Sequence, residues 1–271
     1  MAADTWAHGD AYEAYVGRWS RRVAAGFVDW LDVPPQRGWL DVGCGTGALT
    51  ATVLADADPS GVVGIDPSED FLATARARIR DDRATFRAGD AQSLPVVDGH
   101  FDAVVSALVV NFVSPDPRQA VAEFARVAKE RGVVAAYVWD YAEGMAMIRC
   151  FWDAATELDH AAAEQDEGRR FELCRPQALH DLWAQAGLND VEVYAIDVPT
   201  TFADFDDYWD PFLGGQGPAP GYVMSLAEDH RQALRDLIRA RLPVDADGQI
   251  RLTAKAWAVR GTTSGPRSFT V

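Results

Sequence analysis

The sequence predicts an α/β protein whose core is a doubly wound, mostly parallel sheet of seven strands. Three observations carry this prediction. Short apolar runs alternate with longer amphipathic stretches, most of the runs are continuously apolar, and a glycine-rich turn follows the first run. Continuous Val, Ala, Ile and Leu runs are typical of parallel strands that helices cover on both faces.

Each element follows from apolar periodicity and from the residues that end the run. The first predicted helix spans residues 10–31 and ends before Pro34 and Pro35. The predicted strands are 37–42, 61–65, 84–87, 101–108, 132–139, 191–196 and 250–259. The other helices of this region are predicted at 47–56, 68–80, 117–130, 144–160 and 176–187. Because the last two strands alternate apolar and polar residues, we expect an antiparallel last strand.

Four segments are predicted along the chain. Residues 1–36 form an N-terminal lid helix region, 37–198 a ligand-binding core, 199–248 a helical cap insertion, and 249–271 the final strand and a tail. The insertion is too long for a hairpin loop and is rich in aromatic residues. It also contains a Gly-Gly-Gln-Gly-Pro run, so we expect a substrate-binding cap with a flexible segment.

Composition excludes several classes of partner. The 271 residues are 48% apolar, with 25 basic and 41 acidic side chains and a formal charge of -16. Such a chain repels phosphate backbones, so no nucleic-acid partner is expected. The three cysteines, Cys44, Cys150 and Cys174, have no metal-type spacing, and no metal is expected. Because no leader-like or membrane-length apolar run is present, we expect a cytoplasmic protein with no membrane partner. We expect a monomer or a homodimer.

The stretch from Leu40 to Gly47 is the most informative motif, because it places an acid and three glycines where a strand becomes a helix. Asp41 brings a carboxylate to the carboxyl edge of the first strand. The glycines permit backbone angles and a close approach that a Cβ forbids. In open α/β sheets this edge is where ligands bind.

The glycine spacing alone leaves the ligand open. Gly43-x-Gly45-x-x-Ala48 also matches the dinucleotide fingerprint, which predicts a nicotinamide-dependent oxidoreductase as an alternative. Asp41 favours a different ligand, because a carboxylate repels a pyrophosphate and attracts an ammonium or sulfonium group.

Two further acids end the second and third predicted strands. Asp66 lies about 20 residues beyond the loop, where an acid accepts hydrogen bonds from ribose hydroxyls; its alternative role is at a helix start. Asp90 is placed to accept a hydrogen bond from an exocyclic amine, or else is an ordinary turn aspartate. Three acids at three successive strand ends favour a nucleoside ligand.

These motifs resemble those of the class I S-adenosylmethionine-dependent methyltransferases. Residues 40–47 resemble the first motif of that family, Asp66 its ribose acid, Gly89-Asp90-Ala91 its adenine-side motif, and residues 101–106 its fourth strand. The resemblance implies a Rossmann-like methyltransferase fold that uses S-adenosylmethionine and releases S-adenosylhomocysteine. The core residues expected to contact this cofactor are Asp41, Gly43, Cys44, Gly45, Gly47, Asp66, Pro67, Asp90, Ala91 and Ser106.

Within that family the chain is most similar to the branch of ubiquinone/menaquinone C-methylases and bacterial natural-product methyltransferases. Tyr12, Tyr15, Arg18 and Trp19 resemble its lid elements. The resemblance implies that Arg18 pairs with the cofactor carboxylate and that Trp19 faces the sulfonium. The alternative is a packing helix with exposed basic groups.

The expected reaction is methyl transfer to an O, N or C atom of a small organic acceptor, apolar or aromatic. Positioning supplies most of the rate, and a general base is needed only for an acceptor that is protonated at pH 7. Asp140 and His180 are the candidate catalytic residues, although Asp140 also fits a helix cap. The predicted substrate-binding residues, which also fit a hydrophobic core, are Trp139, Tyr141, Trp209, Phe212 and Tyr222. A cofactor-binding module without catalysis is a further alternative, and the acceptor stays open.

Overall fold

The structure, a computed structural model, describes residues 13–215 and 217–265, so Tyr12 and the start of the first predicted helix lie outside the described residues. The described chain forms two compact units. The first comprises residues 13–20, Trp139–Cys174 and Asp197–Ala256, and the second comprises Arg21–Val138, Arg175–Ile196 and 257–265. Residues 139–174, which we expected in the core segment, are therefore grouped with the insertion.

A seven-stranded sheet dominates the second unit. Its strands are β1 (Gly38–Val42), β2 (Gly61–Asp66), β3 (Ala84–Ala88), β4 (Phe101–Ala107), β5 (Ala128–Trp139), β6 (Asn189–Phe202) and β7 (Ile250–Thr262). The order is β3-β2-β1-β4-β5-β7-β6, with parallel pairing from β3 to β5 and antiparallel last strands. This confirms the predicted fold class. The last residue of β5, the end of β6 and the start of β7 are assigned to the first unit.

Ten α-helices are described in residues 13–215 and 217–265. They are α1 (Arg18–Leu31), α2 (Ala48–Asp56), α3 (Glu69–Arg78), α4 (Pro117–Val127), α5 (Ala146–Leu158), α6 (Glu167–Arg170), α7 (Pro176–Gln185), α8 (Phe205–Trp209), α9 (Pro218–Ser225) and α10 (Glu228–Arg241). Side-chain caps and first-turn prolines explain several starts: Ser68 accepts from the Phe71 N–H, and Asp116 accepts from the Arg118 N–H.

Helices α1 and α7 pack an apolar core against the sheet of the second unit. Phe27 of α1 is fully buried and meets the Tyr137 ring of β5 edge-on at 4.9 Å between centroids. Trp183 of α7 is also fully buried, and its Nε1–H donates to the Val134 carbonyl at 2.9 Å. Because the indole N–H is satisfied, this large side chain contributes apolar area without an unpaired donor.

The predicted boundary between a helix at 117–130 and a strand at 132–139 was wrong. Helix α4 ends at Val127, and β5 begins at once with Ala128, opposite Phe101 of β4. The register shifts before Ala103 pairs with Val133, and Arg131 has a φ of 60°. Because the residues at this irregular start of β5 are mostly polar, the pattern of apolar runs does not predict them as strand.

Strand β6 is also longer than its predicted core of 191–196. It extends from Asn189 to Phe202, so residues 199–202 of the predicted cap are strand. Thr200 and Phe202 are buried, whereas Pro199 and Thr201 are more accessible; because proline is unfavourable inside a strand, the sequence pattern predicted an earlier end.

Aromatic side chains hold the first unit together. Phe212 is fully buried and stacks on Phe151 with centroids 4.7 Å apart and planes 9° apart. The Tyr15 ring meets Phe212 edge-on at 5.3 Å. The Tyr208 hydroxyl donates to the Met147 carbonyl at 2.8 Å. No helix in the described ranges is long and apolar enough to cross a membrane.

A buried carboxyl group lies in the same unit. Glu167 is 1% exposed and accepts a hydrogen bond from Trp152 Nε1–H, while Asp166 beside it pairs with Arg149. Burial raises the pKa of Glu167 to about 7; its own backbone N–H and the Trp152 donor oppose this shift, and the Asp166 charge adds to it. The folded chain therefore holds this proton to a higher pH than the unfolded chain does.

We expect Glu167→Gln to remove a pH dependence of stability. Between pH 4.5 and about 7 the unfolded chain binds fewer protons at this position than the folded chain, so the native protein loses stability as pH rises. The variant should match the native protein near pH 5 and exceed it at pH 8 by roughly 2–4 kcal/mol in free energy of unfolding. Urea unfolding at both pH values measures this.

The matched control is Glu164→Gln, which changes an exposed glutamate three residues earlier. It should follow the native protein at both pH values. Equal losses of stability with pH in the Glu167→Gln variant and the native protein would contradict the assignment.

Candidate functional site

The carboxyl ends of β1, β2 and β4 meet at one edge of the sheet. Asp41 lies opposite Gly64 of β2 and Val105 of β4, because all three strands run parallel. The Ser106 hydroxyl at the end of β4 donates to the Val42 carbonyl at 2.8 Å and is fully buried. Residues that follow these strands therefore share the edge where ligands of such sheets bind.

The end of β2 holds the glycine-rich loop in place. The N–H groups of Gly43 and Cys44 both donate to the Ile65 carbonyl, at 2.7 and 3.0 Å. The next N–H in the loop, that of Gly45, donates to Asp66 Oδ2 at 2.9 Å. The loop is thus anchored by the strand that carries the predicted ribose acid.

The three loop glycines have different surroundings. A Cβ at Gly43 (φ 72°) would lie 2.5 Å from the Val109 side chain, and one at Gly47 (φ 88°) would lie 2.6 Å from Ile79. At Gly45 (φ 52°) no heavy atom lies within 4 Å of that position. The outer glycines therefore allow packing, whereas Gly45 borders open space at the turn of the loop. An open position of this kind permits close approach of a ligand to the backbone.

Asp41 is a fully buried acid with one satisfied oxygen. Its Oδ2 accepts from the Thr50 hydroxyl at 2.6 Å, and its Oδ1 has no hydrogen-bond partner. Burial raises the pKa of Asp41 to about 7; the Thr50 hydrogen bond opposes this and the Asp66 charge adds to it. The arrangement leaves one oxygen to receive a donor or a cation, as we expected for an ammonium or sulfonium ligand.

Asp66 makes two backbone hydrogen bonds at once. Besides the bond from Gly45, its Oδ1 accepts from the Ser68 N–H at 2.8 Å, just before α3. Burial raises the pKa of Asp66, and these two backbone donors lower it. Both predicted roles of Asp66 are compatible with the geometry, because a carboxylate oxygen accepts more than one hydrogen bond.

Asp90 lies in an exposed turn after β3, next to β2 in the sheet. Its Oδ1 accepts from the Gln92 N–H at 2.7 Å, and its carbonyl accepts from Ser93. Ala91 is half-buried, and Pro67, which follows the end of β2, is exposed. Their contacts with an adenosyl group stay predictions.

Arg18 and Trp19 belong to the first unit, whereas the loop belongs to the second. The Arg18 guanidinium pairs with Asp207 at 2.7 Å and lies over the rings of Trp19 and Phe202, 4.5 and 4.8 Å from their centroids. Arg18 therefore has an anionic partner within its own unit. The predicted pairing with a cofactor carboxylate stays a prediction.

The two catalytic candidates fall in different units. Asp140 is 4% exposed and forms a turn, accepting from the Glu143 N–H at 3.1 Å. His180 lies on the surface of α7, 3.4 Å from Asp181. The contacts of Asp140 are those of a loop-forming residue, and neither candidate has a contact that indicates a base.

The five predicted substrate residues all belong to the first unit, and all are less than 8% exposed. Trp209 and Phe212 are neighbours, with ring centroids 6.0 Å apart. Tyr222 reaches the same cluster through Phe151, at 6.3 Å. Trp139 keeps an Nε1–H without a partner, and the Tyr141 ring lies 5.5 Å from that of Phe171.

Sequence reasoning missed Thr50 and Glu167. The available signal for Thr50 was a single hydroxyl in the first turn of a mostly apolar helix. Glu167 follows Asp166 and precedes Gly168, a pattern typical of a helix start, and nothing local indicates burial. No group of three or more His, Cys, Asp or Glu in the described ranges is arranged to hold a metal ion.

Comparison with known families gives a match over the strands that build this edge. Residues 40–136 match a family model described as a methyltransferase domain. The demethylmenaquinone methyltransferase of Symbiobacterium thermophilum is 36% identical over 120 residues, which cover 42% of this chain and 46% of the relative. The chain spans about half the length of the curated relatives that it matches.

Solved structures show the same fold at low identity. The YcgJ protein of Bacillus subtilis superposes with a TM-score of 0.59 at 17% identity, over 90% of this chain and 99% of that one. Phosphoethanolamine N-methyltransferase 2 of Haemonchus contortus, solved in complex with S-adenosyl-L-methionine, gives 0.58 at 16% identity, over 94% and 56%.

Residues 40–136 match a methyltransferase domain and the sheet is of the mostly parallel methyltransferase type, so the resemblance to class I S-adenosylmethionine-dependent methyltransferases stated above is confirmed. Within that class the chain is similar to demethylmenaquinone methyltransferases, in line with the predicted resemblance to the ubiquinone/menaquinone branch.

Proposed function

We propose that this chain transfers the methyl group of S-adenosylmethionine to a small organic acceptor. The observation that carries the proposal is the edge formed by Asp41, the open Gly45 backbone and Asp66, which fits a nucleoside bearing a cationic group. A methyl on a sulfonium is already activated when the cofactor is bound. The residues of this chain then need to bind, orient and exclude water.

Each part of the edge has a role in the proposal. No heavy atom lies within 4 Å of the position that a Cβ at Gly45 would take, so the cofactor can approach the backbone closely there. A Cβ would fill that space. Asp66 accepts hydrogen bonds from the ribose hydroxyls while it holds the loop. The unpaired oxygen of Asp41 receives the cationic end.

The aromatic cluster of the first unit supports an apolar or aromatic acceptor. Its rings are Tyr15, Phe151, Tyr208, Trp209, Phe212 and Tyr222. Aromatic and apolar side chains with few polar groups are typical of small-molecule sites. We propose that these side chains select the acceptor. The choice among O, N and C as the methylated atom rests on the acceptor itself.

Calorimetry followed by an acceptor screen tests this function. We expect S-adenosylmethionine and S-adenosylhomocysteine to bind the purified protein and NAD to show no heat. A panel of phenols, amines and carboxylates should include an acceptor that releases S-adenosylhomocysteine. Binding of NAD in place of S-adenosylmethionine would favour the oxidoreductase alternative. Binding of S-adenosylmethionine without product from any acceptor would favour the non-catalytic module.

A further inference from the structure

Among the described residues, Thr50 is the one whose side chain donates a hydrogen bond to Asp41, and both residues are completely buried. Its hydroxyl, in the first turn of α2, donates to Oδ2 at 2.6 Å, which fixes the orientation of the carboxyl group. The direction of the other oxygen, Oδ1, is then also fixed, and no protein donor in the described chain forms a hydrogen bond with it. A buried acceptor without a partner is rare in native structures and indicates a missing one.

The charges around Asp41 disfavour its ionised form. Asp66, on the neighbouring strand β2, is the acid that acts on it, and the Cys44 thiol beside them stays protonated because burial and both acids raise its pKa. Thr50 opposes these effects, first through the hydrogen bond from its hydroxyl and then, to a lesser extent, through its backbone N–H. A cationic ligand next to Oδ1 would reverse the balance, because an opposite charge favours ionisation.

We propose that Thr50 is the positioning residue for Asp41: it aims the unpaired carboxylate oxygen at the cationic end of the cofactor, and binding of that cofactor releases the proton that Asp41 otherwise holds. The inference rests on the proposed function, since it requires the cofactor to be S-adenosylmethionine. It adds to the proposed function a role for Thr50 and the release of a proton on binding, neither of which methyl transfer alone requires.

The number of protons released on cofactor binding can be measured. Because the pKa of Asp41 is raised to about 7, the native protein should release about half a proton per S-adenosylmethionine bound at pH 7. Release should approach one proton near pH 6 and vanish above about pH 8.5. Titration calorimetry in phosphate and in Tris at each pH gives the number, since the two buffers differ in ionisation heat.

Thr50→Val removes the hydroxyl and keeps the shape. We expect its proton release to persist at pH 8 and its affinity for S-adenosylmethionine to fall roughly 3- to 10-fold at pH 7, a gap that closes above about pH 9. A merely structural role would weaken binding equally at every pH. Thr50→Ser retains a hydroxyl and should restore both the affinity and the proton count.

Three further variants isolate the effect. Thr52→Val removes a hydroxyl on the same helix that donates to the Ala48 carbonyl at 3.1 Å, and it should leave the proton count unchanged. Asp41→Asn should abolish the release, whereas Glu167→Gln, which removes the other acid with a pKa near 7, should keep it.

The outcomes separate the two proposals. If the native protein does not bind S-adenosylmethionine, the proposed function fails and this inference fails with it. If binding occurs without proton release, or if the Thr50→Val and Thr52→Val variants behave alike across pH, the proposed function stands and the role of Thr50 is refuted. The native and Asp41→Asn measurements decide the proton count even if Thr50→Val does not fold.

Discussion

The Asp66→Ala variant is expected to bind S-adenosylmethionine roughly 30- to 1,000-fold more weakly than the native protein, a loss of about 2–4 kcal/mol. The carboxylate accepts backbone hydrogen bonds from Gly45 at 2.9 Å and from Ser68 at 2.8 Å. Alanine therefore removes the proposed ribose contact, releases the loop, and leaves the Ser68 N–H before α3 without its acceptor. Because the loop and the ribose depend on the same two oxygens, the effect should exceed that of one lost hydrogen bond.

Calorimetry with S-adenosylmethionine and S-adenosylhomocysteine measures this change. Asp70→Ala is the matched control, since it removes an exposed carboxylate from the first turn of the same helix and should keep native affinity. Asp66→Asn keeps one oxygen and should fall between the two. Near-native affinity in a folded Asp66→Ala protein would refute the assignment of this acid to the site.

Phe212→Ala should cause the largest loss of stability among these variants, about 3–5 kcal/mol in free energy of unfolding. Phe212 is completely buried between the parallel ring of Phe151 and the edge-on ring of Tyr15, with Tyr208 5.5 Å away. Truncation to alanine loses apolar burial and leaves a cavity that rigid aromatic neighbours do not fill.

Urea unfolding followed by tryptophan fluorescence measures the loss. The neighbouring residue supplies the control, because Leu213 is 41% exposed and Leu213→Ala should change stability by less than about 1 kcal/mol. Similar losses in both variants would show that the ring cluster is not a packed core. If Phe212→Ala keeps its affinity for S-adenosylmethionine but loses turnover with an acceptor, the cluster also acts in acceptor recognition.

Much of the fold is predictable from local patterns. Strands β1, β2, β3 and β4 lie within two residues of their predicted bounds, because continuous apolar runs and glycine or proline boundaries are local signals. The start of β5 was not predictable in the same way. Residues 128–131 are mostly polar, and they belong to the strand because Ala128 pairs with Phe101 of β4; Lys129 also forms an ion pair with Asp102 of β4 at 2.8 Å.

The candidate site also has features that were predictable from the sequence and one that was not. The acids and glycines of the loop were predictable, since a positive φ requires glycine and a strand end places its acid at a known edge of the sheet. The partner of Asp41 was not, because nothing in the sequence says which face of α2 turns Thr50 toward the strand.

The sequence by itself determined the order of strands and helices, the glycine loop and the acids at three strand ends. Hydrophobic period, backbone freedom and strand polarity set these features, and each acts over a few neighbouring residues. Only the tertiary structure decided which charges are paired or buried. Arg18 lies 189 residues from its partner Asp207, and Glu167 is buried and accepts a hydrogen bond from Trp152 of another helix. Burial and ion pairing depend on contacts between distant parts of the chain, so no local pattern predicts them.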